Sequence, residues 1–299
     1  MIGIVRDKIW GACVNWLTNE SNDHRLSPND FDVINEKIQP GDVLLVEGRT
    51  RVGGMIKTLT RCSFSHSAIC IGRQDEIEDL GIRAMIHEHY DGPNDVPLLV
   101  EAELGRGTVI TPVDFYRTRN CRIARPIGLS ESDAKKIVAF MVSHLGDEYD
   151  VKQLLDLARF LIPWSFIPRK WQSSLFEHNA GQATKNVCSS LIAEAFGRVG
   201  FPILPLVERA ENGQLHFYRR NPKLFTPRDF DYSPFFKILK YPLLRETPEG
   251  YYRVLSWQQA DEQDSLRLNY MNADDIVFVS RIEEESEDLD AMQGMVDKA

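Results

Sequence analysis

Cys188 stands where a polar segment, Gln182 to Asn186, meets the start of an amphipathic helical pattern. A cysteine in the first turn of a helix feels the positive end of the backbone dipole, which lowers the thiol pKa and favours the thiolate. Ser189 and Ser190 follow it, and Asn186 lies two residues before. A free cysteine more often fills a gap in a core, so position alone leaves the two readings level. His66 shifts the balance. It lies in an expected strand between Ser65 and Ser67, directly before the apolar pair Ala68-Ile69. From there an imidazole can reach across a sheet toward a helix N-terminus, take the thiol proton and return it to a leaving group. Alone it would read as a hydrogen-bonded structural histidine. Glu101 interrupts the apolar run Leu98-Leu99-Val100-Ala102, where an isolated carboxylate is costly unless paired. On the far ring nitrogen it would fix the tautomer and stabilise the imidazolium. The plain alternative for Glu101 is a surface carboxylate on an edge strand. Glu103, on the same face by period two, is the backup. The chemistry these three types support is acyl transfer through sulfur, to water or to another acceptor.

Other motifs carry less. His87-Glu88-His89 would set two imidazoles on one strand face, a spacing that a metal site can use. No third ligand stands nearby, so a solvated hairpin is the expectation and no metal or other cofactor is assigned. Ser130, Ser189 and Ser190 lack the Gly-x-Ser-x-Gly elbow of a serine hydrolase. Gly105-Arg106-Gly107 reads as a turn, not a phosphate loop.

The elements that must position the three residues follow from pattern. Pro40-Gly41-Asp42 is a turn opening a buried strand at Val43 to Val46. Gly53-Gly54 reads as a break before a short helix at 55–61, and the His66 strand ends at Gly72. Residues 74–97, acidic and interrupted by Gly and Pro, suggest a hairpin or surface insertion. Further strands are expected at 98–102, 108–113 and 122–126. Ser130, with Asp133 three residues on, caps a helix running to about Leu145. Cys188 to Val199 forms a helix with Leu191, Ile192, Ala195, Phe196 and Val199 on its buried side, stopped by Gly200 and Pro202. Two short strands are expected at 251–257 and 276–279. The acidic run Glu283 to Asp290 reads as a solvated tail.

The chain has 299 residues, an apolar fraction of 43% and a net charge of −9. That is enough apolar content for a sizeable core, and the charge offers no general attraction to nucleic acid. Cys13, Cys62, Cys70, Cys121 and Cys188 are an odd number without CxxC spacing, which points to reduced thiols in a cytoplasm-like compartment. The N-terminus lacks the pattern of a secretory signal, although export without a cleaved signal stays open, and no stretch has the length of a spanning helix. Ile2, Val5, Ile9, Trp10, Cys13, Val14 and Leu17 share one helical stripe. This helix reads first as packed on the main domain, and second as interfacial. The segment Leu154 to Trp171 is apolar and reads first as core, with a lid or acyl-chain surface as the alternative. Stretches 2–17 and 154–171 are thus the candidates for peripheral membrane or lipid contact.

The series GDVLLVEG, SHSAICIG, LVEAELGRGTVITPV, GDEYD, NVCSSLIAEAF resembles the permuted NlpC-type papain-like cysteine hydrolases, the YiiX/YebB-like group, over roughly residues 40–239. In that group the histidine strand precedes the cysteine helix, the reverse of papain. The resemblance implies an α+β fold, a small antiparallel sheet packed against helices, with Cys188 as nucleophile, His66 as base and Glu101 as orienting residue. It also makes Tyr149 a candidate for lining the oxyanion site or cleft, with Ser189 beside the thiol and the Cys188 N–H as the default oxyanion donor. The expected organisation is a helix and linker at 1–39, the permuted domain at 40–245 and a C-terminal extension at 246–299. The leading functional expectation is a hydrolase that cleaves a peptide, isopeptide or acyl-amide bond through a thioester. Acyl transfer or lipid hydrolysis by the same pair is the second, and a binding protein without turnover the third.

Overall fold

The computed structural model describes residues 27–103, 105–147, 187–210 and 212–244, with Gly250 and Arg253. The expected helix at 2–17, Tyr149, the apolar stretch at 154–171 and the expected strands beyond 250 lie outside the described residues. Every element below belongs to the first of two compact units, the one that contains Ser27–Arg245.

The chain opens with helix α1 (Phe31–Lys37), capped by the Asp30 carboxylate, which accepts from Val33 N. Strand β1 (Val43–Val46) is buried along its whole length. It therefore reads as a continuous apolar run, the signature of a strand covered on both faces. Helix α2 (Arg51–Thr60) begins earlier than the sequence suggests. The Thr50 hydroxyl caps it, so Gly53 and Gly54 lie inside the helix and do not break it. Gly53 is there for space: a Cβ would come within 2.9 Å of Ser65 Oγ. Strand β2 (His66–Arg73) follows, with His66 at its first position.

The expected hairpin at 74–97 is instead a short 3-10 turn and helix α3 (Leu80–His89). The Asp79 carboxylate caps α3 at Gly81 N and Ile82 N, and Ile86 is its buried anchor. His87 and His89 thus sit two apart on a helix, where they point in different directions, so the metal spacing disappears with the strand. Strands β3 (Pro97–Glu103), β4 (Gly107–Pro112) and β5 (Cys121–Pro126) match expectation closely, with a 3-10 turn, Val113–Tyr116, between the last two. Helix α4 (Glu131–Val142) starts at the Ser130 cap and helix α5 (Val187–Arg198) carries Cys188 in its first turn. A two-stranded ribbon, β6 (Leu206–Arg209) and β7 (Leu215–Tyr218), short helix α6 (Pro227–Tyr232) and strand β8 (Phe236–Leu239) complete the unit.

The main sheet runs β4-β3-β2-β1-β5-β8, with all neighbours antiparallel. One face, with Val43, Leu45, Ile69, Ile71, Leu98, Val100 and Ala124, packs on α4 and α5 through Ile137, Met141, Ile192, Ala195 and Phe196. The opposite face, with Leu44, Val46, Ala68, Cys70, Leu99 and Ile123, meets Phe31 and Ile34 of α1 and the turn residues Val113 and Tyr116. Val46 pairs with His66 on one side and Cys121 on the other. The exit of β1 and the entrances of β2 and β5 therefore converge at one end of the sheet.

Candidate active site

That end holds the thiol. Strand alternation puts His66 on the face of Ala68 and Cys70, and Glu101 on the same face as Leu99. Ser67 points to the other face, where its hydroxyl meets Ser189 Oγ of α5 at 3.0 Å. Cys188 arrives with α5 from that second face. His66, at the first position of β2, is where the two sides meet.

The His66 ring is half-buried, and its Nε2 is hydrogen-bonded to Glu101 Oε2. This leaves Nδ1 for the sulfur, and the Cys188 thiol is hydrogen-bonded to His66 and to the backbone and hydroxyl of Ser67. Glu101 is buried, and its Oε2 also accepts from the Tyr116 hydroxyl at 2.5 Å. Thr111 of β4 lies beside the carboxylate and helps hold it charged, but Oε1 receives no well-formed hydrogen bond from the described residues.

The electrostatics follow from these contacts. Burial pushes the Cys188 thiol up, yet the imidazolium of His66 and the hydrogen bonds from His66 and Ser67 outweigh it and bring the thiol down from 9.0 to about 7. Burial alone would lower His66, but the charges of Cys188 and Glu101 hold it well above 6.5. Burial would raise Glu101, but His66, Thr111 and Tyr116 keep it below its ordinary value. The other buried cysteines behave oppositely: burial drives Cys70 up to about 12 and Cys121 higher still. Burial is thus common to all three, and only the sulfur beside an imidazole is acidic.

The structure brings Cys188, His66 and Glu101 into one connected chain. Glu103 is not part of it; its carboxylate pairs with Arg106 at 2.6 Å. Ser189 is fully buried, and its hydroxyl is taken up by Ser67, so its side chain faces the sheet. Sequence reasoning passes over Ser67, although the Ser65-His66-Ser67 alternation shows that the two serines must point away from the histidine. It also passes over Tyr116, which lies in a turn and has no period to mark it.

The structure thus sets a helix with the thiol in its first turn after the strand that opens with the histidine. Residues 37–159 match the model of a family described as permuted papain-like amidase enzyme, YaeF/YiiX, C92 family. This is the group that the motifs resemble, and the described unit has its α+β, permuted papain-like fold. The match contains His66 and Glu101 and stops before Cys188. Among matching solved structures is the crystal structure of metalloprotein yiiX from Escherichia coli O157:H7, with 13% identity over 69% of this chain and 98% of that chain, at a TM-score of 0.41. No curated protein matches the chain significantly. Among the described residues, no helix is long and apolar enough to cross a membrane.

Proposed function

We propose that the chain is a cysteine amidase in which Cys188 is the nucleophile, His66 the general acid–base and Glu101 the residue that orients the imidazole. The observation that carries this reading is the acidic thiol: Cys188 titrates at about 7 because a paired imidazole adjoins it at a helix N-terminus. The thiolate and imidazolium stand as an ion pair before substrate arrives. Sulfur attacks the carbonyl carbon of an amide, and the developing oxyanion is held by the backbone N–H of Cys188. The imidazolium gives its proton to the leaving nitrogen as the C–N bond breaks, which leaves a thioester on Cys188. His66, now neutral, takes a proton from water. The hydroxyl attacks the thioester, the C–S bond breaks, and a carboxylic acid and the thiol are released. The family description favours amide over ester chemistry.

The test measures the rate of Cys188 alkylation by iodoacetamide against pH. The reading predicts labelling that persists to about pH 7 and retreats toward an ordinary thiol midpoint near ~8.5 in His66→Ala. Equal profiles in the two proteins would refute the pairing. Incubation with peptide and N-acyl lipid libraries, followed by mass spectrometry, then reads the acyl group left on Cys188. An adduct formed only from esters would move the chemistry from amide cleavage to lipid hydrolysis.

A further inference from the structure

We propose that Tyr116 is a positioning residue of the thiol site that acts through Glu101, holding its carboxylate aimed at His66; this rests on the reading of Cys188 and His66 above. The phenol sits at the end of the Val113–Tyr116 turn and is 6% exposed. Three features lock it. Val113 is buried beneath the turn, the backbone N–H groups of Arg119 and Arg117 close it onto Tyr116 O and Asp114 O, and Phe115 packs edge-on against the ring at 5.2 Å. The ring centroid lies 6.1 Å from that of His66. Its hydroxyl donates to the same oxygen, Glu101 Oε2, that His66 Nε2 uses, while Oε1 lacks a partner among the described residues.

A carboxylate removed from water keeps its charge only through the donors that meet it. Here the well-formed ones are two, and one is the imidazole that Glu101 is meant to serve. The titratable groups around the carboxylate are His66 from β2, Tyr116 from the turn, Cys121 from β5, Glu103 from β3 and, beyond the imidazole, Cys188 from α5. The phenol fixes the oxygen that faces the imidazole. Without it Oε2 has His66 alone, and the carboxylate is free to turn toward Thr111, which also lies beside it. Glu101 stays charged near pH 7, where the thiol titrates, so the effect of Tyr116→Phe is on aim: a carboxylate that swings away holds the imidazolium less firmly, and the thiolate fades sooner on acidification.

The experiment is the pH profile of iodoacetamide labelling at Cys188 in wild type, Tyr116→Phe, Glu101→Gln and the double variant, with thermal melting as the folding control. The expected result is an acid-side midpoint about one pH unit higher in Tyr116→Phe. In the Glu101→Gln background the same change should move the midpoint no further, because the phenol works through the carboxylate. An unchanged midpoint in a folded Tyr116→Phe, or additive effects in the double variant, overturns the proposal. If His66→Ala leaves labelling unchanged, the Cys–His reading itself has failed, which is a separate outcome. Should Tyr116→Phe not fold, biosynthetic 3-fluorotyrosine provides a stronger donor of nearly the same shape. It should move the midpoint down, and no movement would overturn the role.

Discussion

Glu101 is a buried anion whose full-strength partners, among the described residues, are one imidazole and one phenol. Its folded value is depressed, so its contribution to stability is present above the ordinary carboxylate value of 4.5 and is lost as the pH falls through the folded value. His66 is the converse case. Its contribution is full below 6.5 and lost as the pH rises through its raised folded value. After burial, the thiolate of Cys188 is the largest influence on His66, and it acts upward. Cys188→Ala should therefore move the His66 titration to lower pH, as read from its ring protons by NMR. A midpoint that stays in place would mean that sulfur and ring do not share a proton. Glu101→Gln keeps the shape and removes the charge, so the thiol should titrate at higher pH. A rise of ~1 in its midpoint makes alkylation at pH 6 about tenfold slower and leaves the rate at pH 9 little changed.

Two contacts between elements hold the residues in place. Ser67 and Ser189 bond each other directly across the β2–α5 interface, both fully buried. Ser189→Ala removes one of the two partners of the buried Ser67 hydroxyl and should cost about 0.5–1.5 kcal/mol in denaturant unfolding, while the bond from Ser67 to the sulfur remains and thiol labelling changes little. At Gly48, the N–H donates to Ser65 Oγ at 3.1 Å, and a Cβ would meet that oxygen at 2.6 Å. Gly48→Ala should push the hydroxyl aside one residue before His66, and slower labelling with little change in melting temperature is the expected signature. Most of this frame is legible in the sequence. The buried strand 43–46, the His66 strand and the Ser130 cap announce themselves by period and by turn chemistry. Helix α3 escapes because its short apolar pattern is diluted by charges and its start depends on one residue, Asp79. Helix α2 reads too short because Gly53 reflects crowding against Ser65, a tertiary cause invisible in the local sequence. Tyr116 is hidden for a similar reason: its partner lies 15 residues back, across a strand turn.

At the scale of the whole unit, the site is built where two differently packed faces of one sheet share an end. Glu101, His66 and Tyr116 belong to the side covered by α1 and the 3-10 turn, and Cys188 to the side covered by α4 and α5. The hydroxyl pair that joins the two sides links residues 122 positions apart. Loops of that length are closed late, after their entropy cost has been met by nearer contacts. The acidity of the sulfur is thus a property of the finished topology, since an unfolded chain offers the cysteine neither imidazole nor helix dipole. During refolding from denaturant, a brief pulse of iodoacetamide at pH 7 should label Cys188 only in molecules that have already joined the two sides. Rapid labelling should then grow in with the slowest kinetic phase and lag behind the recovery of helical circular dichroism, making the nucleophile a clock for the last step of its own assembly.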